Sequence, residues 1–330
     1  MPRVGGVASV GAWVAGEALV IMNQSMTYSI VARDPSTGQM GVATQSQAFA
    51  VGASVPWALA GHGVIATQSM GEPMYGELGL DALRGGLTAA EALTALRAID
   101  PHPERRQVAM IDTRGGMEAY TGEGCVAAAG HQMGDCCLAL ANMVASPAVW
   151  EAMVTAFESA AGSLARRLLA ALHAAEAQGG DLRGRRSAAL LVVRDARTGR
   201  PWRDQVVDLR VDDHAEPVAN LDRLLTRHDR YHQVVEALEC ALDDQPDRAL
   251  GLLGELDAGG AAGALGAEPD LMMWRAIVLA RAGRTADAAE LVERLSCNAP
   301  EFVAALRGFE PAGLIERDLL DSILPPQANR

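Results

Sequence analysis

The chain contains no lysine: its 28 basic side chains are all arginine. That absence excludes a Schiff-base lysine, a P-loop lysine, a pyridoxal-phosphate anchor and a Ser–Lys dyad, each of which needs the lysine amine. Cysteine is also scarce. The five residues Cys125, Cys136, Cys137, Cys240 and Cys297 form no C-x-x-C pair and are odd in number. This argues against a disulfide framework and for a reducing compartment. The adjacent Cys136 and Cys137 could meet a metal ion with His131, but no second Cys/His pair stands at zinc-site spacing. Buried apolar thiols are the plainer reading, and neither metal nor cofactor is expected. No uninterrupted apolar run reaches the roughly 18 residues of a membrane span. The signatures G-x-G-x-x-G after a strand, G-x-S-x-G and H-E-x-x-H are missing too.

What is present is a globular composition of 330 residues, 49% apolar and 21% charged, enough for about two domains. Acidic residues outnumber basic ones 41 to 28, a net charge of −13. That excess disfavours non-specific binding to nucleic acid or to an anionic membrane.

Residues 1–26 are rich in Gly, Ala and Val. Arg3 makes a weak charged start for a secretory signal, Glu17 interrupts the apolar stretch, and Gln24-Ser25-Met26 is not an A-x-A site. The preferred expectation is an extension or mis-assigned start, with translation beginning at Met26 in the cytoplasm. The alternative is an exported protein with a weak signal-like segment.

Regular patterning begins at Thr27. Thr27 to Arg33 is β-rich, Asp34-Pro-Ser-Thr-Gly38 supplies turn chemistry, and Gln39 to Gln45 is a return strand. Gly63 to Thr67 fits a buried strand. Leu78 to Leu83 and Thr88 to Ile99 have helical spacing, the second opening with Thr88 and Glu91 as a capping box. Gln107 to Asp112 and Met117 to Thr121 read as a hairpin, followed by helices over 147–159 and 163–178. Strands return at 187–194 and 205–211. Strand pairs, helix pairs and strands again predict an α+β layered domain over 27–219, not a βαβ alternation.

Residues 220–330 read as all-helical. Ala249, Leu252 and Leu256 recur as Ala288, Leu291 and Leu295, with Trp274, Ala280 and Gly283 ahead of the second set and Pro300 after it. This resembles a tetratricopeptide repeat, whose period is about 34 residues, with the Gly/Ala-rich Ala258 to Ala267 stretch as a loop inserted between helices. The helical region is also the more acidic part, densest at Asp243-Asp244. Its plain reading is a solvated face; the functional one is a surface that recruits a protein partner.

Thr27-Tyr-Ser-Ile-Val-Ala-Arg-Asp-Pro-Ser-Thr-Gly38, Gly41-Val-Ala and Ala50-Val-Gly-Ala-Ser-Val-Pro-Trp57 resemble the opening of a bacterial and archaeal family, domain of unknown function 1028. Tyr120-Thr-Gly122, Ala129-Gly-His131, Asn142, Gly179 to Gly184, Ser187 to Val193 and Val207 to His214 extend the resemblance in order across nearly all of 27–219. Grouping of that family with the N-terminal-nucleophile hydrolases implies a four-layer αββα sandwich, two antiparallel sheets between helical layers, with a small all-α domain after it.

The same resemblance implies an amidohydrolase in which Thr27, first residue of the mature chain, is nucleophile and its own α-amine the base. An α-amine with an unperturbed pKa of about 7.7–8.0 suits that role better than a lysine near 10.4. Asn142 is the candidate oxyanion donor. His131, read as a loop residue, would orient substrate or polarise a leaving group, and Ser46 would stand beside the nucleophile at the end of the second strand. Asp181 and Arg183, in the loop before the Ser187 strand, would hold a substrate carboxylate or each other, with Ser187 on the substrate side. The expected partners are a small-molecule or peptide-like substrate, a protein bound through residues 220–330 and a second copy of the chain. Arg186 stands where the family usually has Gln, and Gln47 where it often has a basic residue. The other class of reading is a non-catalytic binding or assembly scaffold on the same fold.

Overall fold

The computed structural model describes residues 27–258 and 268–324. The expectations for residues 1–26, and for nearly all of the Gly/Ala-rich stretch, lie outside these residues. The chain divides into two units, one ending at Leu225 and the other starting at Thr226, so the division falls within a single helix.

In the first unit, strands β1 (Thr27–Arg33) and β2 (Met40–Ser46) form a hairpin. Its turn closes because the Asp34 carboxylate accepts the Ser36 N–H at 2.8 Å and Gly38 takes a φ of 71°. There follow β3 (Pro56–Leu59), β4 (Gly63–Ser69), helices α1 (Met74–Arg84) and α2 (Ala89–Ile99), then β5 (Arg106–Asp112) and β6 (Met117–Thr121). The capping box expected at Thr88 and Glu91 is formed at the start of α2. Next come β7 (Gly130–Met133), β8 (Cys137–Asn142), α3 (Ala148–Ser159), α4 (Leu164–Ala177), β9 (Ser187–Val193), a single turn α5 (Pro201–Asp204) and β10 (Gln205–Val211).

Every pairing is antiparallel. One sheet has the order β10-β9-β2-β1-β8-β7, the other β3-β4-β5-β6. Side chains alternate faces along each strand. Tyr28, Ile30 and Ala139 pack with Phe157, Leu168 and Leu172 of α3 and α4. Val31, Val42, Leu138 and Leu140 pack with Val64, Ala66, Ala109 and Ile111 of the other sheet. Ile65, Val108 and Met110 pack with Tyr75, Leu93 and Leu96 of α1 and α2. The layers therefore run helix, sheet, sheet, helix. Each fully buried aliphatic side chain contributes about 1.5–3 kcal/mol, which explains why the apolar periodicity fixes these layers.

Two strands differ from the sequence reading. His131 is not in a loop but in β7, at the edge of the larger sheet. Cys137 to Asn142, rich in Leu and Ala and without a strong strand preference of its own, is an interior strand because β1 pairs with it along its length.

The second unit consists of helices among the described residues: the end of α6 (Pro217–Leu242), α7 (Pro246–Leu256), α8 (Pro269–Arg281), α9 (Thr285–Asn298), α10 (Pro300–Arg307) and α11 (Arg317–Ile323). The recurring Ala249, Leu256, Ala288 and Leu295 are buried in one core, with Leu252 and Leu291 packed at its margin. Trp274 stacks on Phe309 at 4.9 Å between ring centres. Among the described residues no helix is long and apolar enough to cross a membrane.

Candidate functional site

Between the two sheets the packing changes character along the strands. At one end the facing side chains are aliphatic. Toward the other end they become Thr27 and Ser29 of β1, Thr44 and Ser46 of β2, Gln68 of β4, Gln107 of β5, Asn142 of β8 and Ser187 of β9, all buried. In register, Thr27 pairs with Ser46 on one side and with Asn142 on the other, and Ser46 pairs with Ser187. Ser187, Ser46, Thr27 and Asn142 thus form a row across four adjacent strands. Directly paired residues share a face, so the fold brings these four sequence-predicted residues together.

The second sheet contributes two glutamines. Gln68 accepts from Ser29 Oγ at 2.6 Å, and its Nε2 donates to Gln107 Oε1 at 2.8 Å and to the carbonyls of Thr27 and Leu140 at 3.0 and 3.3 Å. Gln107 Oε1 also accepts from Asn142 Nδ2 at 3.0 Å, and Asn142 Nδ2 lies 3.5 Å from the Thr27 carbonyl. Gln107 Nε2 donates to the carbonyls of Ala141 and Gly130 and to Thr121 Oγ1, at 2.9, 3.0 and 3.0 Å. These partners fix each amide's orientation, since a flip would set oxygen against carbonyl oxygen.

His131 closes the chain. Thr121 Oγ1 takes a hydrogen bond from Gln107 and lies 2.8 Å from His131 Nδ1. The Gln107 amide takes one of the two lone pairs of Thr121 Oγ1, so this hydroxyl can donate to His131 Nδ1 or accept from it, according to the ring's tautomer. Burial lowers the His131 pKa below its ordinary value, against a smaller opposing effect of Glu118. The neutral ring belongs to neutral pH, where it keeps its hydrogen bond with Thr121. Its stabilisation is lost as pH falls below the ordinary histidine range toward the depressed folded value. In thermal melts the stability difference between the wild type and His131→Phe should therefore narrow from pH 7 to pH 5, and the His131 ring protons should titrate below pH 6.5 by NMR.

Asp181 and Arg183 hold each other, with Arg183 Nη2 3.2 Å from Asp181 Oδ2. The buried Asp181 carboxylate also accepts the Gln47 N–H at 2.9 Å. Ser187 Oγ donates to the Ala48 carbonyl at 2.6 Å and accepts the Val51 N–H at 3.0 Å. Ser46 Oγ accepts the Ala48 N–H at 2.9 Å. These side chains shape the turn after β2. Cys137 faces α3 and α4, its thiol pushed up to about 12, chiefly by burial. His131 faces the other sheet, so the two do not converge on one ion. Among the described residues no group of three or more His, Cys, Asp or Glu is placed to hold a metal.

Backbone strain collects at the same end. Ala50 after β2, Ser69 at the end of β4 and Met143 directly after Asn142 have φ values of 54°, 70° and 53°. Such left-handed conformations in non-glycine residues cost on the order of 1–3 kcal/mol each and gather where surrounding structure enforces them. Sequence reasoning missed Ser29, Thr44, Gln68, Gln107 and Thr121. One signal was available: the inward positions of β1, β2, β4 and β5 all switch from apolar to polar toward the same end.

What the arrangement offers is a buried, hydrogen-bonded set of amide and hydroxyl groups around the start of β1, with no charged side chain in the set. Comparison with known proteins agrees with this domain as the defining part of the chain. No curated protein matches the chain. The crystal structure of a Silicibacter pomeroyi protein assigned to the DUF1028 family is similar, with 33% sequence identity, a TM-score of 0.56, and coverage of 62% of this chain and 89% of that one. The family model described as "Family of unknown function (DUF1028)" matches residues 27–221, and the chain belongs to that family.

Proposed function

We propose that the first unit is an N-terminal-nucleophile-type amidohydrolase acting on a small amide or peptide-like bond, with a mature chain beginning at Thr27. The observation that carries this reading is the position of Thr27. It is the first residue of an interior strand, it faces the space between the sheets, and Ser46 and Asn142 flank it in register. A chain that starts there puts a hydroxyl and an α-amine on one residue inside a preorganised polar site.

In the first step Thr27 Oγ attacks the amide carbonyl while the α-amine takes the hydroxyl proton. The amine then passes that proton to the leaving nitrogen as the C–N bond breaks, leaving an ester on Thr27. Water, deprotonated by the same amine, cleaves the ester and restores the hydroxyl. Asn142 Nδ2 is the donor for the developing oxyanion, held by Gln107 Oε1. His131, its Nδ1 held by Thr121, turns Nε2 toward a leaving group in this reading, while Ser46 supports the turn beside the nucleophile. Asp181, Arg183 and Ser187 shape the substrate side. No lysine takes part, because the chain has none.

The test is the first residue of the protein and its reactivity. Protein purified from its own host should begin at Thr27. A β-lactone should add one acyl group to Thr27, its ring C–O bond opening to the alcohol. One extra residue ahead of Thr27 should abolish that labelling. Active protein that retains Met26 or all the leading residues would overturn the reading.

A second reading is supported by the helical unit. Between α7, α8 and α9 lies a cleft of about 510 Å³, with Leu253, Met272, Leu279 and Leu291 on its walls. Arg275 and Asp257, paired at 2.7 Å, stand at its side. A tetratricopeptide-like helical scaffold that holds a partner segment there fits this feature. Partner capture that depends on residues 220–330 and survives Thr27→Ala would favour it.

A further inference from the structure

The loops at the Thr27 end are joined into a rim. Gln47, in the turn after β2, donates its N–H to Asp181 Oδ2 at 2.9 Å. Leu182, next in sequence, donates its N–H to the Met143 carbonyl at 3.4 Å, and the Met143 N–H donates to the Val126 carbonyl at 2.9 Å. Ala145 donates to the Gly180 carbonyl at 3.2 Å, where Gly179 and Gly180 both have positive φ and turn the chain out of α4. Residues 47–50, 122–129, 143–147 and 178–186 thus surround the ends of β1, β2, β8 and β9.

From this rim three large apolar side chains face solvent on three different loops: Phe49 and Leu182, each 60% exposed, and Val126, 45% exposed. Single exposed apolar residues are ordinary, but these belong to segments tied to one another through Asp181 and Met143. The nearby arginines each have a carboxylate partner. Arg183 pairs with Asp181, Arg185 with Glu176 and Glu216, and Arg186 with Asp213, while the Arg186 guanidinium also lies 5.8 Å from the Phe49 ring centre. Inside the rim the side chains around the proposed Thr27 α-amine are neutral amides and hydroxyls, which satisfy a carbonyl and an N–H without a counter-charge. Apolar side chains on the rim over neutral side chains inside it complement an uncharged amide flanked by an apolar group. A substrate ammonium would face three arginines, and a substrate carboxylate would compete for them with Asp181, Glu216 and Asp213.

We propose that Phe49, Val126 and Leu182 form the specificity surface of the Thr27 site, taking an uncharged amide that carries an aliphatic or aromatic group beside the scissile bond. This inference rests on the hydrolase reading above. Each methylene seated on such a surface is worth about fourfold in kcat/KM.

The experiment compares the p-nitroanilides of acetic, butyric, hexanoic and succinic acid as substrates. In parallel it measures binding of acetamide, butyramide, hexanamide and succinamic acid to the Thr27→Ala protein by calorimetry. Expected are a rise in kcat/KM and in affinity along the aliphatic series and a loss with the carboxylate-bearing member. Phe49→Ser and Leu182→Ser should each flatten the series by about tenfold at the hexanoyl member, through KM with kcat retained and with unchanged melting temperature. Turnover without length dependence would overturn the specificity surface and leave the hydrolase reading intact. Length-dependent binding that both variants weaken, in a protein that turns over none of the probes, would retain the surface and overturn the hydrolase. Variants that change the oligomeric state in light scattering, with chain-length preference untouched, would make the rim an interface between copies and overturn the proposal.

Discussion

Thr27→Ala is expected to lose roughly 10⁴–10⁶-fold in turnover while folding normally, whereas Thr27→Ser should retain measurable activity. The size of the effect follows from what one residue does in the proposed mechanism. Removing Oγ removes the atom that forms the acyl-enzyme, and the α-amine that remains has no hydroxyl to activate. Serine restores the hydroxyl but not the methyl group that restricts its rotamer in the strand. Stability should fall by only about 1–2 kcal/mol, the cost of one buried hydroxyl and methyl at the end of β1, which leaves the domain folded. The check is single-turnover kinetics with intact-mass detection of the acyl-enzyme, beside a thermal melt. Full activity in Thr27→Ala would remove Thr27 from the chemistry altogether.

Gln68→Leu should destabilise the first unit by about 3 kcal/mol or more and lower its melting temperature by roughly 6–12 °C. Gln68 is buried, and its amide satisfies Ser29 Oγ, Gln107 Oε1 and the carbonyls of Thr27 and Leu140. Leucine fills much of the volume but forfeits all four bonds, leaving Gln107 Oε1 to Asn142 and Ser29 Oγ to Thr44 as their remaining partners. The unmade bonds, not a cavity, therefore dominate the cost. Gln68→Glu separates the two causes. An ionised carboxylate would face the Thr27 and Leu140 carbonyls, so that variant should be least stable above the ordinary carboxylate range. It should recover as pH falls and the buried acid, its pKa raised, becomes a donor. Melts across pH 4–8 read this directly. A Gln68→Leu protein as stable as the wild type would show that the amide network contributes nothing net.

The hairpin of β1 and β2, the capping box at Thr88 and Glu91, and the hairpin of β5 and β6 were legible because each depends on neighbours in sequence: turn residues, an N-cap, alternation. The helical second unit was legible from its 3.6-residue periodicity. Cys137 to Asn142 was not, because its residues carry no strong local preference and its strand state comes from pairing with β1. His131 looked like a loop residue for a related reason. Gly130 ahead of it reads as a breaker, yet the segment is held as an edge strand by β8.

By itself the sequence determined which chemistry is excluded, which segments alternate and which are amphipathic, and that Thr27 opens the first regular strand. It also carried, through Asn142, Ser46 and Ser187, three of the residues that stand in the row with Thr27. Only the tertiary structure decided that this row faces Gln68 and Gln107 of the other sheet. Period-two alternation tells which residues share a face; it cannot tell which face meets the second sheet or at what depth. The glutamines look locally like ordinary polar positions at strand ends. Packing of two sheets over an aliphatic core turns them inward, and their burial then forces each amide to find its partner there.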